Sequence, residues 1–144
     1  MDKVKSTLKD IREADGRLNA MVEDLEKSNW EHEITNDSPH KAMNTKGSQV
    51  LPQSGNTRDT YIQLLRKDVG KGDVVTHELK HAYNIDEGLD KTINAGKLPN
   101  GLRREEADAV NTGNIYRSAK GIPLRTKFGA WEVPLVPNLL YDNF

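Results

Sequence analysis

His77 and His81 stand four residues apart with Glu78 directly after the first, in the run Thr-His-Glu-Leu-Lys-His-Ala. This HExxH pattern is that of a zinc-dependent hydrolase, and its spacing has a physical reason. On a helix, residues i and i+4 lie one above the other, so both imidazoles can face one ion. Glu78 then points beside that ion rather than at it, where a carboxylate can take a proton from an attacking water. Read without chemistry, the same run is a charged, solvated helix face. The chain has only four histidines, however, and two of them fall in the pattern beside the required acid.

Zinc in a hydrolase takes three protein ligands and leaves one position open. There is no cysteine, so the ligands must be nitrogen and oxygen, and no histidine follows His81. The third ligand is therefore an acid downstream: Asp86, Glu87, Asp90, Glu105, Glu106 or Asp108. Asp86 and Glu87 follow His81 too closely to swing back without a tight turn. A glutamate on the next helix is the better solution, which leaves Glu105 or Glu106. Glu106 shares a helical face with Val110, Gly113, Asn114 and Arg117, a mixture of packing and polar groups suited to covering a metal site. Glu105 points about a hundred degrees away and is expected to face solvent.

The elements that would position these groups read as α+β. Val4, Leu8 and Ile11 recur at helical spacing, and Asp15-Gly16 breaks the pattern. Leu18, Met21, Val22 and Leu25 mark a second helix ending near Ser28. Trp30 to Thr35 alternates as a short strand. The span 36–58 reads as a long polar loop with a hairpin near Val50-Leu51, and Thr60 to Leu65 is the strongest strand. Gly70-Lys71-Gly72 is a turn, and Asp73 is the expected N-cap of the motif helix, which Asp86-Glu87-Gly88 closes. After a loop over 89–101, a long helix runs from about Leu102 to Lys120, with Gly121 as its terminal glycine. The tail, 124–144, reads as an extended segment packed over the core.

Length and composition suit a single compact domain over 1–144. Basic and acidic residues number 21 and 22, so no nucleic-acid or membrane footprint appears at whole-chain level. A mean hydropathy of -0.77 with 35% hydrophobic residues implies a small core under a polar surface. No apolar run approaches membrane-spanning length, and the N-terminus lacks a signal-peptide hydrophobic region. Export would then use a route that this segment does not encode.

HELKHAYN over 77–84, then EEADAVNTGNIYR over 105–117 and GIPLRTKFG over 121–129, resembles the NleD-type effector metallopeptidases and related zincin toxin domains of the Rhs type. Glu106, Val110, Asn114, Arg117, Gly121, Pro123 and Arg125 match that family's pattern. The resemblance spans most of the chain but is specific only from His77 to Arg125. It implies a compact gluzincin-like domain, a zinc cofactor, a protein substrate inside a target cell, and secretion or delivery by a specialised system. A cognate immunity protein is a further partner of this class. One departure is Gly113, where the family commonly carries Glu.

Among the remaining polar residues, Tyr83 and Tyr116 could donate to the oxyanion of a tetrahedral intermediate. Asn114 and Arg117 could contact substrate or orient a ligand. Asp86 and Asp108 could each accept the outer N–H of a ligating imidazole. His32 and His40 read as structural or exposed. These residues describe a zinc peptidase with Glu78 as base and His77, His81 and Glu106 as ligands. The alternative is a zincin-like binding module without turnover.

Overall fold

The computed structural model describes residues 2–36 and 47–135. His40, the first half of the long loop and the last tail residues, including Leu139 and Leu140, lie outside these. The described chain is α+β.

Helix α1 (Asp2–Ala14) buries Val4 and Ile11, and α2 (Gly16–Lys27) buries Leu18, Met21 and Val22. The break between them is also a cap. Asp15 is extended, and its Oδ1 accepts from the N–H of Arg17 at 2.8 Å. Three strands follow: β1 (His32–Asn36), β2 (Gln49–Pro52) and β3 (Thr60–Leu64). β3 lies in the centre, parallel to β1 and antiparallel to β2, with Ile62 opposite both Ile34 and Val50. A parallel neighbour leaves β1 and β3 far apart in sequence, which is why the strand pairing was not legible as a simple hairpin.

The motif helix, α3 (Gly72–Glu87), crosses the middle of the molecule. Val75, Leu79, Ala82 and Tyr83 join the main core with residues of α1, α2 and β3. It ends at Gly88, whose φ of 72° is the left-handed value that favours glycine. Its start differs from the expectation. Lys71, not Asp73, occupies the capping position, and Asp73 lies in the first turn. Asp73 instead pairs with Arg117, whose Nε and Nη2 donate to Oδ2 at 3.0 and 2.9 Å.

Helix α4 (Arg104–Ala119) packs closely on α3. Two glycines make this approach feasible. A Cβ on Gly113 would sit 3.0 Å from the carbonyl oxygen of Asp73, and one on Gly72 would sit 2.1 Å from Cζ of Tyr116. Tyr116 cannot simply swing aside, because its hydroxyl donates to Asp10 on α1. Gly72→Ala is thus expected to cost about 1–3 kcal/mol. Denaturant melts should show a lower midpoint with unchanged slope, and an unshifted midpoint would mean that the α3–α4 contact is looser than described.

The tail also departs from expectation. Rather than one extended segment, residues 127–132 form a hairpin of β4 (Lys127–Phe128) and β5 (Trp131–Glu132). Val133 and Phe128 pack with Leu98, Leu102, Ala107 and Val110 in a second, smaller core around the N-terminal half of α4. No helix among the described residues is long and apolar enough to cross a membrane.

Candidate metal centre

The motif residues lie on the one stretch of α3 that faces a cleft of about 500 Å³. Ligand atoms of His77, Glu78 and His81 all lie within 4.8 Å of one another, and all three residues are buried. Imidazoles four residues apart converge as the helix period requires, with ring centroids 5.0 Å apart.

The first turn of α4 closes the cluster. Glu106 presents Oε1 at 2.6 Å from Nε2 of His81 and Oε2 at 3.6 Å from Nε2 of His77. One carboxylate thus spans the same ring nitrogen of both histidines. The start of α4 is fixed by the loop before it. Arg104 N–H donates to Gly96 at 3.0 Å, and Leu98 N–H donates to Leu102 at 2.7 Å. Behind the site, Asn84 and Asn94 both donate to Asp108 Oδ2, at 3.0 and 3.2 Å, and buried Lys80 lies 3.7 Å from the same oxygen. This buried polar set ties α3, the loop and α4 together, so the register between the ligand-bearing helices is set by hydrogen bonds rather than by apolar contact alone.

Glu105 corrects the sequence reading. Its side chain is 14% exposed, against 20% for Glu106, and does not face solvent. Its Oε1 accepts from Nδ1 of His81 at 3.0 Å, and its Oε2 accepts from Arg103 at 2.9 Å. The reason is geometric. The end of α4 abuts the imidazole, so two adjacent residues about a hundred degrees apart straddle one ring, one at each nitrogen. His81 is therefore held at both nitrogens. His77 is held differently: its ring stacks on Phe128 at 6.0 Å and 6°, while its buried Nδ1 has no hydrogen-bond partner among the described residues.

The electrostatics follow from burial and this sharing. Burial pushes Glu78 up to about 8 and holds His77 below its ordinary value. Burial opposes the charged form of His81, but hydrogen bonds to Glu105 and Glu106 outweigh it and raise the pKa. Burial likewise opposes ionisation of Glu106, yet its contacts with His77 and His81 drive its pKa down. An ionised carboxylate bridging two buried imidazole nitrogens is a site for positive charge. The donor set of two nitrogens and one oxygen suits a divalent cation such as zinc.

The other sequence candidates lie elsewhere. Tyr83 packs in the main core with Lys80 above its ring at 4.8 Å, and burial raises its hydroxyl to about 12. Tyr116 covers Gly72, and Arg117 pairs with Asp73 and donates to the carbonyl of Pro123 at 2.8 Å. Tyr116 and Arg117 thus face α1 and the first turn of α3, and none of the three lines the cleft. Asn114 reaches the site only indirectly. Its Nδ2 donates to Arg125 O at 2.9 Å and its Oδ1 accepts from Arg125 N–H at 2.7 Å, which fixes the strand leading to Phe128. Asp86 bonds His32 at 2.7 Å, so neither it nor Asp108 serves a motif histidine. His32 is structural, held also by Thr60 at 2.8 Å. Gly113 faces the carbonyl oxygen of Asp73.

Sequence reasoning weighs Glu105 as a ligand and then assigns it to solvent, and it matches Arg125 to the family pattern without giving it a place in the site. Phe128 is given no role. A larger cavity of about 660 Å³ between α1, α2 and the sheet holds none of the cluster residues. Comparison with protein families, with curated proteins and with solved structures gives no match.

If the cluster holds a metal, Glu105 orients His81 through its outer nitrogen. Such partners typically contribute ~10–100-fold to metal affinity, so Glu105→Gln is expected to weaken binding by about that factor. Competition with a chromogenic chelator measures this, and an unchanged affinity would reduce Glu105 to a helix-end acid.

Proposed function

We propose that this chain is a zinc-dependent endopeptidase with a zincin-like, gluzincin-type arrangement. The observation that carries the reading is the Glu106 carboxylate on α4, turned to Nε2 of both His77 and His81, with Glu78 beside them in the same buried cleft.

In this reading His77, His81 and Glu106 hold the zinc, which supplies Lewis acidity and makes a water nucleophilic near neutral pH. The chain's own residues do the rest. Glu78 takes the proton from the attacking water and later passes it to the leaving amine. Glu105 keeps the His81 ring in place, and Phe128 does so for His77 by stacking. Among the described residues strand β2 is an edge of the sheet, and Gln49 and Val50 line the cleft, so its outer backbone can pair with an extended peptide.

The sequence resemblance alone supports the wider reading: an effector or toxin domain, delivered into a target cell, that cleaves a protein there and is countered by an immunity protein. The alternative, a binding module without turnover, rested on Gly113 as a lost ligand. A Cβ at that residue would meet the carbonyl oxygen of Asp73 at 3.0 Å, so Gly113 lets α4 approach the first turn of α3.

The test is metal analysis of purified protein together with cleavage of a broad peptide library. One equivalent of zinc with cleavage supports the peptidase. Stoichiometric zinc without cleavage of any peptide favours a metal-stabilised binding module, and absence of zinc affinity ends the peptidase reading and leaves only a metal-free module.

A further inference from the structure

Among the described residues, Arg125 stands out near the cluster as a cation whose backbone and side chain are both held while its terminal nitrogens are uncommitted. Its main chain is gripped on both sides by Asn114. Its Nε donates to the carbonyl of Lys127 at 2.9 Å, and its guanidinium lies 5.5 Å from the ring of Phe128. Phe128 in turn stacks on His77. Among the described residues, neither Nη atom has a hydrogen-bond or ion-pair partner. Its charge reaches the cluster, where it disfavours a charged His77 and favours an ionised Glu78. The alternatives are already engaged: Arg103 is committed to Glu105, and Lys127 pairs with Glu132 at 3.5 Å.

A guanidinium held this way loses little freedom on pairing with a carboxylate, and its two free donors match that group's geometry. We infer that Arg125 is a specificity residue that binds an acidic side chain of the substrate, close to the scissile bond on the His77 side of the cleft. The substrate class is therefore an acidic peptide segment. This rests on the peptidase reading above but is tested separately from it.

The first arm measures binding rather than turnover. A blocked Asp- or Glu-containing peptide is titrated calorimetrically onto the Glu78→Gln chain and onto the same chain carrying Arg125→Gln. Loss of a charge-assisted pair is expected to weaken binding by roughly 10–100-fold. The second arm compares kcat/KM for matched acidic, neutral and basic peptides. The parent should favour the acidic peptide mainly through KM. Arg125→Gln should abolish the discrimination, and Arg125→Glu should invert it toward a lysine-containing peptide, a gain that misfolding cannot produce. A parent with no acid preference would overturn the inference. So would an Arg125→Gln variant whose defect lies in kcat alone with the preference intact. If the parent neither binds zinc nor cleaves, while Arg125-dependent binding of the acidic peptide persists, the peptidase reading fails and the recognition site stands.

Discussion

Glu78→Gln is expected to leave the metal in place and to lower the rate of peptide cleavage by roughly two to four orders of magnitude. The amide matches the carboxylate in shape but cannot take the proton from water. Glu78 lies in the cleft with its neighbours His77 and His81 and is not a partner of Glu106 in the bridging contact. Losing its charge should therefore spare the ligand set. Two measurements are needed together: metal per chain, and single-turnover cleavage of a peptide that the parent cuts. A variant that kept near-parental rates with its metal would remove Glu78 from the mechanism.

The second large effect concerns the ligands. His77→Ala, His81→Ala and Glu106→Ala should each lose stoichiometric metal, and with it all cleavage. Because the proposed ligands come from two helices, an ion that binds only the folded chain should also raise stability, by about 2.7 kcal/mol at a hundredfold excess over Kd. Thermal melts with and without zinc check this: the parent should shift, and each of the three variants should not. The comparison with Glu105→Ala is decisive for the arrangement. Glu105 contacts only the outer nitrogen of His81, so its loss should weaken metal binding in a graded way, whereas loss of Glu106 should abolish it. If Glu105→Ala abolished binding and Glu106→Ala were mild, the two glutamates would have exchanged roles.

The parts of this structure that were legible in the sequence depend on local periodicity. α1 and α2 show as apolar spacing, β3 as a β-prone run and α3 through the spacing of its histidines, and Gly88 and Gly121 show as terminal glycines with φ of 72° and 69°. The convergence of His77 and His81 is a property of helix geometry alone. What failed depends on neighbours distant in sequence. Asp73 has the composition of a cap, but Arg117, forty-four residues on, takes its carboxylate. Tyr116 and Arg117 look like catalytic donors until Gly72, Asp10 and Asp73 are seen to occupy them. Glu105 was assigned to solvent because helical phase separates it from Glu106. Phase says nothing of how near a helix end lies to its partner, and here it lies close enough for both acids to reach one ring. Phe128 sits in a two-residue strand, too short to show any period.

That short hairpin bears on how the chain can be divided. The proposed ligands and base all lie between 77 and 106, so a fragment drawn at the end of α4 would include every residue named in the motif. It would omit the stacking partner of His77, Arg125 gripped by Asn114, and Val133 over the α4 core. The minimal working unit therefore extends past its last helix, and a boundary chosen from helix ends would yield a piece with its chemistry complete and one wall of its cleft missing.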